Sequence, residues 1–464
     1  MSLPDRVHRE LVEIVGAEWV LTEPEDLLCY AYDGTFSEGQ PDAAVLPADA
    51  QQVAAILHLA SREGIPVIPR GMGSGLAAAS VPFEGGIALT LTRMNRILEI
   101  DPVDMLVVAQ AGVITGDLQA AVESQGLFYP PDPSSLKHCT LGGNVACNAG
   151  GPRCLKYGVT RDYVLALEAV LADGRVLRAG ARTAKNATGY GLAHLFIGSE
   201  GTLGVVTEAT LRLLPLPRAV RTVLAVFPRL ADACEAVTAV LQAGIRPATL
   251  ELIDETAIRC VEDYLHLGLP LGVEAILLVE CDGEEGQVVA ESQAAAALCE
   301  EHAASEVRTA SAQRDRDDLW RARRAISGSL SRQRPNKLGE DIVVPRHAIP
   351  ATVARLKEIS RQFELPIVIF GHAGDGNLHP NMLFDRRDAG EWQRVQLATE
   401  AIFRAAVDMG GTLSGEHGVG VLKLPYLASA VDPVAIDAMR AIKQALDPQG
   451  ILNPGKVVGG VSRL

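Results

Sequence analysis

The sequence contains no run of about 18 consecutive apolar residues, the length that a membrane-spanning helix requires. It also lacks the apolar core of a secretory signal, because its opening stretch, MSLPDRVHRE, is rich in charge. From these absences we expect no integral membrane segment and a cytoplasmic protein, with peripheral association to a membrane left open.

Positive charge and paired cysteines are also scarce. The 42 lysines and arginines are outnumbered by 57 aspartates and glutamates, and no basic cluster interrupts the net charge of −15, so we expect no nucleic-acid partner. The eight cysteines are dispersed and form no CxxC pair. That pattern argues against a disulfide framework, a zinc ribbon or an iron–sulfur cluster within this chain.

With 464 residues, 48% of them hydrophobic, the chain can form two or more cores. Its first half alternates β-branched runs, helical segments such as QQVAAILHLASREG and glycine turns, which is typical of an α/β or α+β domain. A two-residue hairpin turn is expected at Asp173-Gly174. Beyond the prolines at 215 and 217, strands such as EAILLVECDG alternate with alanine-rich helices, which indicates an antiparallel sheet with helices on one face.

The stretch PRGMGSGL has a glycine at every second position after a β-branched run. Such spacing lets successive backbone N–H groups point at one anion, such as a phosphate. A structural tight turn explains this stretch equally well, because it matches neither common phosphate-loop motif. Three more glycine-rich polar stretches, PPDPSS, TLGGNVACNAGG and GSEGTLGVVT, favour the close approach of an extended dinucleotide.

The stretch GHAGDGNLHP places His372 and His379 around a glycine-rich turn. On a helix the two rings would be about 10 Å apart, too far to share an ion, and the glycines and Pro380 argue against a helix. A hairpin with a two-residue turn at Asp375-Gly376 would instead pair His372 directly with His379. Their Cβ atoms would then be about 5 Å apart, a spacing that suits two imidazoles on one cation.

A second stretch, TLSGEHGVG, adds Glu416 and His417. Two histidines and a glutamate with an open position suit a borderline divalent cation, Zn²⁺ first and Mn²⁺ or Fe²⁺ next. Adjacent side chains of an extended backbone point in opposite directions, so we assign Glu416 as a ligand and His417 as a general base. A lone histidine-rich turn is usually a surface feature. The second stretch, together with the family resemblance described next, favours a metal site instead.

In their order along nearly the whole chain, these stretches resemble the FAD-linked 2-hydroxy-acid dehydrogenases, the family of glycolate oxidase, D-lactate dehydrogenase and D-2-hydroxyglutarate dehydrogenase. The terminal LNPGK and the segment KNATGYGLAHLFIGSEGTLGVVT belong to the same pattern. The resemblance implies an α+β fold with a two-lobed FAD-binding domain of the vanillyl-alcohol-oxidase/p-cresol-methylhydroxylase type at residues 1–217. It also implies an antiparallel-sheet substrate domain with the metal site at 218–425, and a C-terminal segment, 426–464, that returns to the FAD domain.

The resemblance further implies which residues line the FAD. The expected contacts are Pro69, Arg70, Gly71, Met72, Gly73, Ser74 and Gly75 at the pyrophosphate, and Pro131, Asp132, Ser134, Ser135, Thr140, Gly143, Asn144, Gly150, Glu200, Gly201 and Val206 along the rest of the cofactor. Asn453 would lie near the isoalloxazine ring. We expect a noncovalent flavin, because the loop RGMGSG offers no histidine or cysteine for attachment; His138 and Cys139 are the alternative attachment points.

A substrate carboxylate needs a positive fork beside the cation. By resemblance, the WxxR spacing from Trp320 makes Arg323 the carboxylate-binding residue. Ser327 is four residues further along the same probable helix and shares its face. Lys337 and Asn377 complete the expected substrate-binding set, whereas Arg321 and Arg324 read as solvated charges.

The resemblance implies oxidation of a small D-2-hydroxy acid, glycolate or D-lactate, to the 2-oxo acid, with hydride transfer to flavin N5. Electrons would pass to a quinone, a cytochrome, an electron-transfer flavoprotein or an iron–sulfur subunit, because the chain has no cluster spacing of its own. A homodimer and a multisubunit complex are both open. Two other functions remain alternatives: a metal-dependent hydrolase that uses the same His/His/Glu site, and a noncatalytic flavin-carrying subunit.

Overall fold

The computed structural model describes residues 3–459, which form two compact units. Within the described residues, the first unit comprises residues 3–150, 159–216 and 416–459, and the second comprises residues 151–158 and 217–415. The short segment 151–158 belongs to the second unit because Lys156 Nζ lies 2.5 Å from Asp282 Oδ1 and the Tyr157 hydroxyl donates to Asp282 Oδ2 at 2.7 Å. The assignment of functional domains to residue ranges stays a prediction.

The strands of both units, in chain order, are β1 (Val20–Leu21), β2 (Ala43–Val45), β3 (Val67–Arg70), β4 (Ile87–Thr90), β5 (Ile97–Asp101), β6 (Leu106–Gln110), β7 (Leu127–Phe128), β8 (Val164–Val170), β9 (Val176–Gly180), β10 (Val205–Arg212), β11 (Leu214–Pro215), β12 (Ala219–Phe227), β13 (Thr249–Asp254), β14 (Ala275–Gly283), β15 (Glu306–Ala310), β16 (Asn336–Gly339), β17 (Ile342–Val343), β18 (Ile367–His372) and β19 (Asn377–Phe384).

The α-helices, in chain order, are α1 (Asp5–Val15), α2 (Pro24–Leu27), α3 (Ala50–Glu63), α4 (Thr115–Glu123), α5 (Leu141–Cys147), α6 (Cys154–Tyr157), α7 (Ala193–Phe196), α8 (Leu230–Gln242), α9 (Glu255–Leu265), α10 (Glu285–Glu301), α11 (Gln313–Leu330), α12 (Ile349–Gln362), α13 (Ala389–Asp408), α14 (Leu427–Ala430) and α15 (Pro433–Leu446). Among the residues described, no helix is both long and apolar enough to cross a membrane.

The first unit contains two main sheets. A four-stranded sheet has the order β1-β2-β4-β3, in which β2, β4 and β3 run parallel, and a five-stranded antiparallel sheet has the order β5-β6-β10-β8-β9. Helix α3 forms where the sequence predicts it. Asp49 caps its start by accepting from the Gln52 N–H at 2.9 Å, and Gly64 ends it at φ +67°. Its apolar side, including Val53 and Ile56, is fully buried in the core of this unit.

The hairpin between β8 and β9 differs from the predicted two-residue turn. Leu171 N–H donates to the Arg175 carbonyl at 2.9 Å, so three residues lie in the loop. Gly174 has φ +87°, a conformation that glycine adopts without the steric cost of a side chain. The extra residue gives the three-residue hairpin with a left-handed glycine, a common alternative to the two-residue turn.

The second unit is built on one antiparallel sheet of order β15-β12-β14-β13-β18-β19-β16, with β17 also paired to β19. Every residue of β13 and β19 is buried, so both faces of the sheet are covered. Helices α9 and α11 pack on one face over a core that includes Leu224, Ile253 and Phe370, while α8, α10 and α12 contact the same sheet. The expectation of helices on one face is therefore wrong, because strands with no solvated side need helices on both.

The sheet face under α9 and α11 becomes polar toward one end of its strands. Directly paired residues of neighbouring strands share a face. The pairings Glu251 with His372 and His372 with Asn377 therefore place three polar side chains on this face, and the pairing of His379 with Phe370 adds a fourth. This polar end of the α9/α11 face holds the candidate site.

Candidate active site

The predicted direct pairing of His372 with His379 is wrong. His372 pairs with Asn377 and His379 pairs with Phe370, so a four-residue turn, 373–376, joins the strands. The longer turn forms because the Gly374 N–H donates to the Leu250 carbonyl of β13 at 3.1 Å. The resulting shift is two residues, and side-chain faces repeat every two residues, so the two histidines still share a face. Their ring centroids are 5.1 Å apart.

His372 and His379 each offer a ring nitrogen as a ligand atom, and Glu416 is the third ligand that the sequence predicts. Glu416 directly follows Gly415, whose N–H donates to the Asp341 backbone carbonyl and to its Oδ2, each at 3.0 Å. Asp341 is fully buried, so it fixes the start of the Glu416 loop. Two imidazoles and a carboxylate form a donor set that fits a divalent cation of borderline softness.

His417 lies next to Glu416 in a bend rather than in extended backbone. Its Nε2 is 3.9 Å from Glu416 Oε1, and both side chains are 14% exposed. The expectation that the two side chains point in opposite directions is therefore wrong, because it assumed a strand. The assignment of His417 as a base stays a prediction.

Glu251 of β13 is a site residue that the sequence reasoning missed. It is fully buried, and its Oε1 lies 2.5 Å from His372 Nδ1 while its Oε2 accepts from Arg323 Nε at 2.6 Å. Burial alone would raise the pKa of this carboxyl, but His372 and Arg323 lower it to about 2. The available signal was an acidic residue between the two leucines of the strand TLELID, since a buried charge requires a partner.

Arg323, on α11, is only 8% exposed, and its guanidinium carbon lies 4.9 Å from the centre of the Phe370 ring. Within residues 3–459 its Nη1 and Nη2 atoms donate no hydrogen bond, so the fork of the guanidinium is open. One helical turn later, the Ser327 hydroxyl contacts Lys337 Nζ, and burial lowers the pKa of Lys337. The structure thus places the three predicted substrate residues Arg323, Ser327 and Lys337 together.

Asn377 occupies the same sheet face as the histidines, but its amide serves a neighbouring segment. Asn377 Nδ2 donates to the Ile342 carbonyl at 3.1 Å, and a Cβ at Gly415 would lie 2.7 Å from that nitrogen. Its predicted contact with substrate stays a prediction. Asn381, two residues beyond His379 on the same face, is 3% exposed and was not singled out from the sequence.

The first unit contains the predicted flavin loops. After β3, the N–H groups of residues 71–75 donate no hydrogen bond to any described residue, and Gly73 has φ +68°. Arg70 packs against this loop: a Cβ at Gly73 would lie 2.1 Å from its Nη2, and its guanidinium donates to the Tyr32 carbonyl at 2.6 Å and to the Cys29 carbonyl at 3.3 Å. The Arg70 charge therefore lies beside the open backbone donors of the loop.

Thr140 brings a second predicted loop against the first. Its hydroxyl accepts from the Gly143 N–H at 3.3 Å at the start of α5, and a Cβ at Gly71 would lie 2.2 Å from that hydroxyl. Asn144 Nδ2 donates to Thr115 Oγ1 at 2.6 Å and is buried with it. Only glycine at position 71 allows this approach.

Glu200, Gly201 and Asn453 converge on the same region. Asn453 Nδ2 donates to the Glu200 carbonyl at 2.6 Å, and a Cβ at Gly201 would lie 3.0 Å from Pro69 Cγ. The Glu200 carboxylate accepts from the N–H groups of Val419 and Gly420, and burial raises its pKa to about 7.

The remaining predicted flavin residues lie on elements of the same unit. Asp132, Ser134 and Ser135 follow Pro131, whose carbonyl accepts from Gln119 Nε2 at 2.8 Å; Met72 and Ser74 lie in the first loop; Gly150 is buried; and Val206 lies on β10. Open backbone donors beside glycines that admit no side chain fit an anionic dinucleotide.

Comparison with known proteins relates both units to flavoproteins. The family described as FAD linked oxidases, C-terminal domain, matches residues 216–457, and the family described as FAD binding domain matches residues 41–180. The glycolate oxidase subunit GlcD of Bacillus subtilis is 44% identical over 452 residues, covering 97% of this chain and 96% of that protein. A D-lactate dehydrogenase of Anaerostipes hadrus is 36% identical over 432 residues, covering 91% and 90%.

Solved structures support the fold. A p-cresol methylhydroxylase aligns with a TM-score of 0.83 at 18% identity, covering 98% of this chain and 97% of that chain. The 4-ethylphenol oxidase of Gulosibacter chungangensis aligns with a TM-score of 0.78 at 21% identity, covering both chains fully. At these identities the likeness concerns the fold, and it confirms the predicted vanillyl-alcohol-oxidase/p-cresol-methylhydroxylase type.

Proposed function

The chain belongs to the FAD-linked oxidases and is an FAD-linked oxidoreductase, and from that premise we propose that it oxidises a small D-2-hydroxy acid to the 2-oxo acid. The reaction removes a hydride from Cα and a proton from the hydroxyl group. The observation that carries the proposal is the placement of His372 and His379 on one sheet face with ring centroids 5.1 Å apart, beside the buried pair of Glu251 and Arg323. The hydrolase and carrier-subunit alternatives lack comparable support.

We assign binding of the substrate carboxylate to Arg323. Its Nε donates to Glu251, its two Nη groups donate to no residue among those that the structure describes, and a guanidinium presents paired donors that match a carboxylate. Ser327 and Lys337 contact each other one turn further along and would bind oxygen atoms of the same substrate. These contacts would orient the carboxylate end of the hydroxy acid toward the arginine.

His372, His379 and Glu416 would hold a divalent cation. Their ligand types favour Zn²⁺ most, followed by Mn²⁺ or Fe²⁺. A cation there would supply positive charge to the carboxylate and hydroxyl oxygens, which lowers the pKa of the hydroxyl group. We assign removal of the hydroxyl proton to His417, whose Nε2 is 3.9 Å from Glu416 Oε1. An imidazole nitrogen can accept a proton and therefore suits this role.

The first unit would hold FAD without a covalent bond, through the loop 69–75, the segment 131–144, Gly150, Glu200, Gly201, Val206 and Asn453. FAD supplies the acceptor for the hydride. Because the eight cysteines form no cluster motif, we propose that electrons leave to a quinone, a cytochrome, an electron-transfer flavoprotein or an iron–sulfur subunit. The cytoplasmic location stays a prediction.

Glycolate and D-lactate are the favoured substrates, because the similar proteins include a glycolate oxidase subunit and D-lactate dehydrogenases. The test is an anaerobic screen in which purified protein is mixed with glycolate, D-lactate, L-lactate, D-2-hydroxyglutarate and larger D-2-hydroxy acids. Bleaching of the oxidised flavin band by glycolate or D-lactate, and not by L-lactate, supports the proposal. A yellow protein that no 2-hydroxy acid bleaches would contradict it.

A further inference from the structure

We propose that Glu251 is a positioning residue that holds the metal ligand His372 and the carboxylate-binding Arg323 in one fixed arrangement. The inference rests on the proposed function, which assigns those roles to His372 and Arg323. It concerns three side chains that all belong to the second unit. Glu251 itself contacts neither substrate nor cation in this account.

The contacts of Glu251 use both of its oxygen atoms. Oε1 lies 2.5 Å from His372 Nδ1, and Oε2 accepts from Arg323 Nε at 2.6 Å. Glu251 lies on β13 directly opposite His372 of β18, and no part of its side chain reaches solvent. A buried carboxylate with two charged or polar partners has little freedom to reorient.

The contact with His372 determines which ring nitrogen carries the hydrogen. A carboxylate beside an arginine is ionised and can only accept, so His372 Nδ1 must donate. The lone pair of the neutral ring is then on Nε2, the nitrogen that would bind a cation. A carboxylate behind a histidine ligand in this way orients the ring and raises its basicity.

The contact with Arg323 determines the orientation of the guanidinium. Glu251 binds the Nε edge, and the Phe370 ring lies 4.9 Å from the guanidinium carbon. Both Nη groups are left open among the described residues. A bidentate fork binds a carboxylate well only when its plane is fixed beforehand.

Glu251 also offsets charge. A divalent cation and a guanidinium repel each other. The ionised Glu251 bonds to His372, a ligand of the cation, and to Arg323 itself, so its negative charge reduces that repulsion. Because one carboxylate holds both groups, loss of Glu251 is expected to weaken cation binding and carboxylate binding together. If Glu251 served only folding, variant protein that still folds would keep both its affinity for the cation and its affinity for the carboxylate.

The test is Glu251→Gln. Glutamine has nearly the same shape as glutamate, but its single side-chain oxygen can accept a hydrogen bond from only one of the two partners. Asp254→Asn is the matched control: it also neutralises a fully buried acid of β13, but Asp254 contacts Ala257, Lys357 and Ile369 instead. For each flavin-containing protein, Zn²⁺ is titrated into metal-depleted sample by calorimetry. Pyruvate is titrated separately into metal-free sample to measure the Arg323 contact.

We expect Zn²⁺ affinity to fall about 10- to 100-fold in Glu251→Gln, the usual effect of losing a residue behind a metal ligand. Pyruvate affinity should fall as well, and Asp254→Asn should match the wild type in both titrations. Unchanged Zn²⁺ and pyruvate affinities in Glu251→Gln would overturn the inference. If that variant does not fold, Glu251→Asp, which keeps the charge but is too short for both partners, must show the same two losses.

The proposed function can fail separately in these experiments. A wild-type protein that binds no Zn²⁺, Mn²⁺ or Fe²⁺ would contradict the metal site itself and, with it, the role of Glu251 behind His372. A wild-type protein that binds metal while Glu251→Gln binds it equally well would leave the function intact and remove only the role of Glu251.

Discussion

His372 and His379 are diagonal neighbours across the β18–β19 hairpin, with ring centroids 5.1 Å apart and ring planes at 87°. The hairpin is central to the second unit, since β13 covers one edge of it and β16 the other. Both side chains are nearly buried, at 3% and 7% exposure. Their positions are therefore set by the sheet rather than by a mobile loop, which is what a metal site of fixed geometry needs.

Replacement of His379 by alanine should abolish most substrate oxidation without removing the flavin. A cation that stabilises the developing charge contributes several kcal/mol, so the rate of flavin reduction should fall about 100-fold or more. Anaerobic stopped-flow absorbance with D-lactate or glycolate measures this rate. His347→Ala, at an exposed histidine of the same unit, is the control. Equal rates in the His379 variant and the wild type would contradict the metal assignment.

Arg323→Lys keeps the positive charge beside Glu251 but removes the planar fork. The loss of a charge-assisted bidentate contact, about 1.5–3 kcal/mol, should lower kcat/KM about 10- to 100-fold, mainly through KM. The control is Arg324→Lys, because the neighbouring Arg324 is exposed and donates to the Asp317 carbonyl at 3.2 Å. The same KM in both variants would remove Arg323 from the substrate site.

Gly71→Ala tests the flavin loops. The new Cβ would lie 2.2 Å from Thr140 Oγ1, so one of the two loops must move. Overpacking of this kind costs about 1–3 kcal/mol, which corresponds to roughly a 10- to 100-fold weaker retention of FAD. The flavin-to-protein ratio after dialysis measures it, and Gly286→Ala, which meets no atom within 4 Å, is the control. Full flavin content in both variants would place the cofactor elsewhere.

Glu200 gives the stability of the protein a pH dependence of defined sign. Burial raises its pKa from 4.5 in the ordinary carboxyl to about 7. The folded state therefore binds a proton more tightly than the unfolded state. The stabilisation that this proton gives the folded protein, roughly 3 kcal/mol, is fully present below pH 4.5 and is lost as the pH rises through 7. Thermal unfolding at about pH 5 and about pH 8 should show a smaller decrease for Glu200→Gln than for the wild type. Parallel decreases would exclude Glu200 as the source.

Much of this fold follows from local sequence patterns. The helical segment QQVAAILHLASREG predicted α3, and the glycines after β3 predicted a turn with open backbone donors. The fold type followed from resemblance and was confirmed by the solved structures. These features depend on short-range spacing, which a sequence displays directly.

The exact hairpin register and the role of Glu251 could not be predicted in the same way. The turn lengthened because the Gly374 N–H bonds to β13, a strand more than 100 residues earlier in the sequence. The partners of Glu251 likewise come from β18 and α11, so no local pattern pairs them. The two histidines nevertheless share a face, because a register shift of two residues leaves each side chain on the same side of its strand.

The most direct test of the central claim is flavin reduction in metal-depleted, flavin-containing protein. We expect dithionite to reduce the flavin normally, D-lactate or glycolate to fail, and added Zn²⁺, Mn²⁺ or Fe²⁺ to restore reduction by the hydroxy acid. Equal reduction by the hydroxy acid before and after complete metal removal would contradict the account.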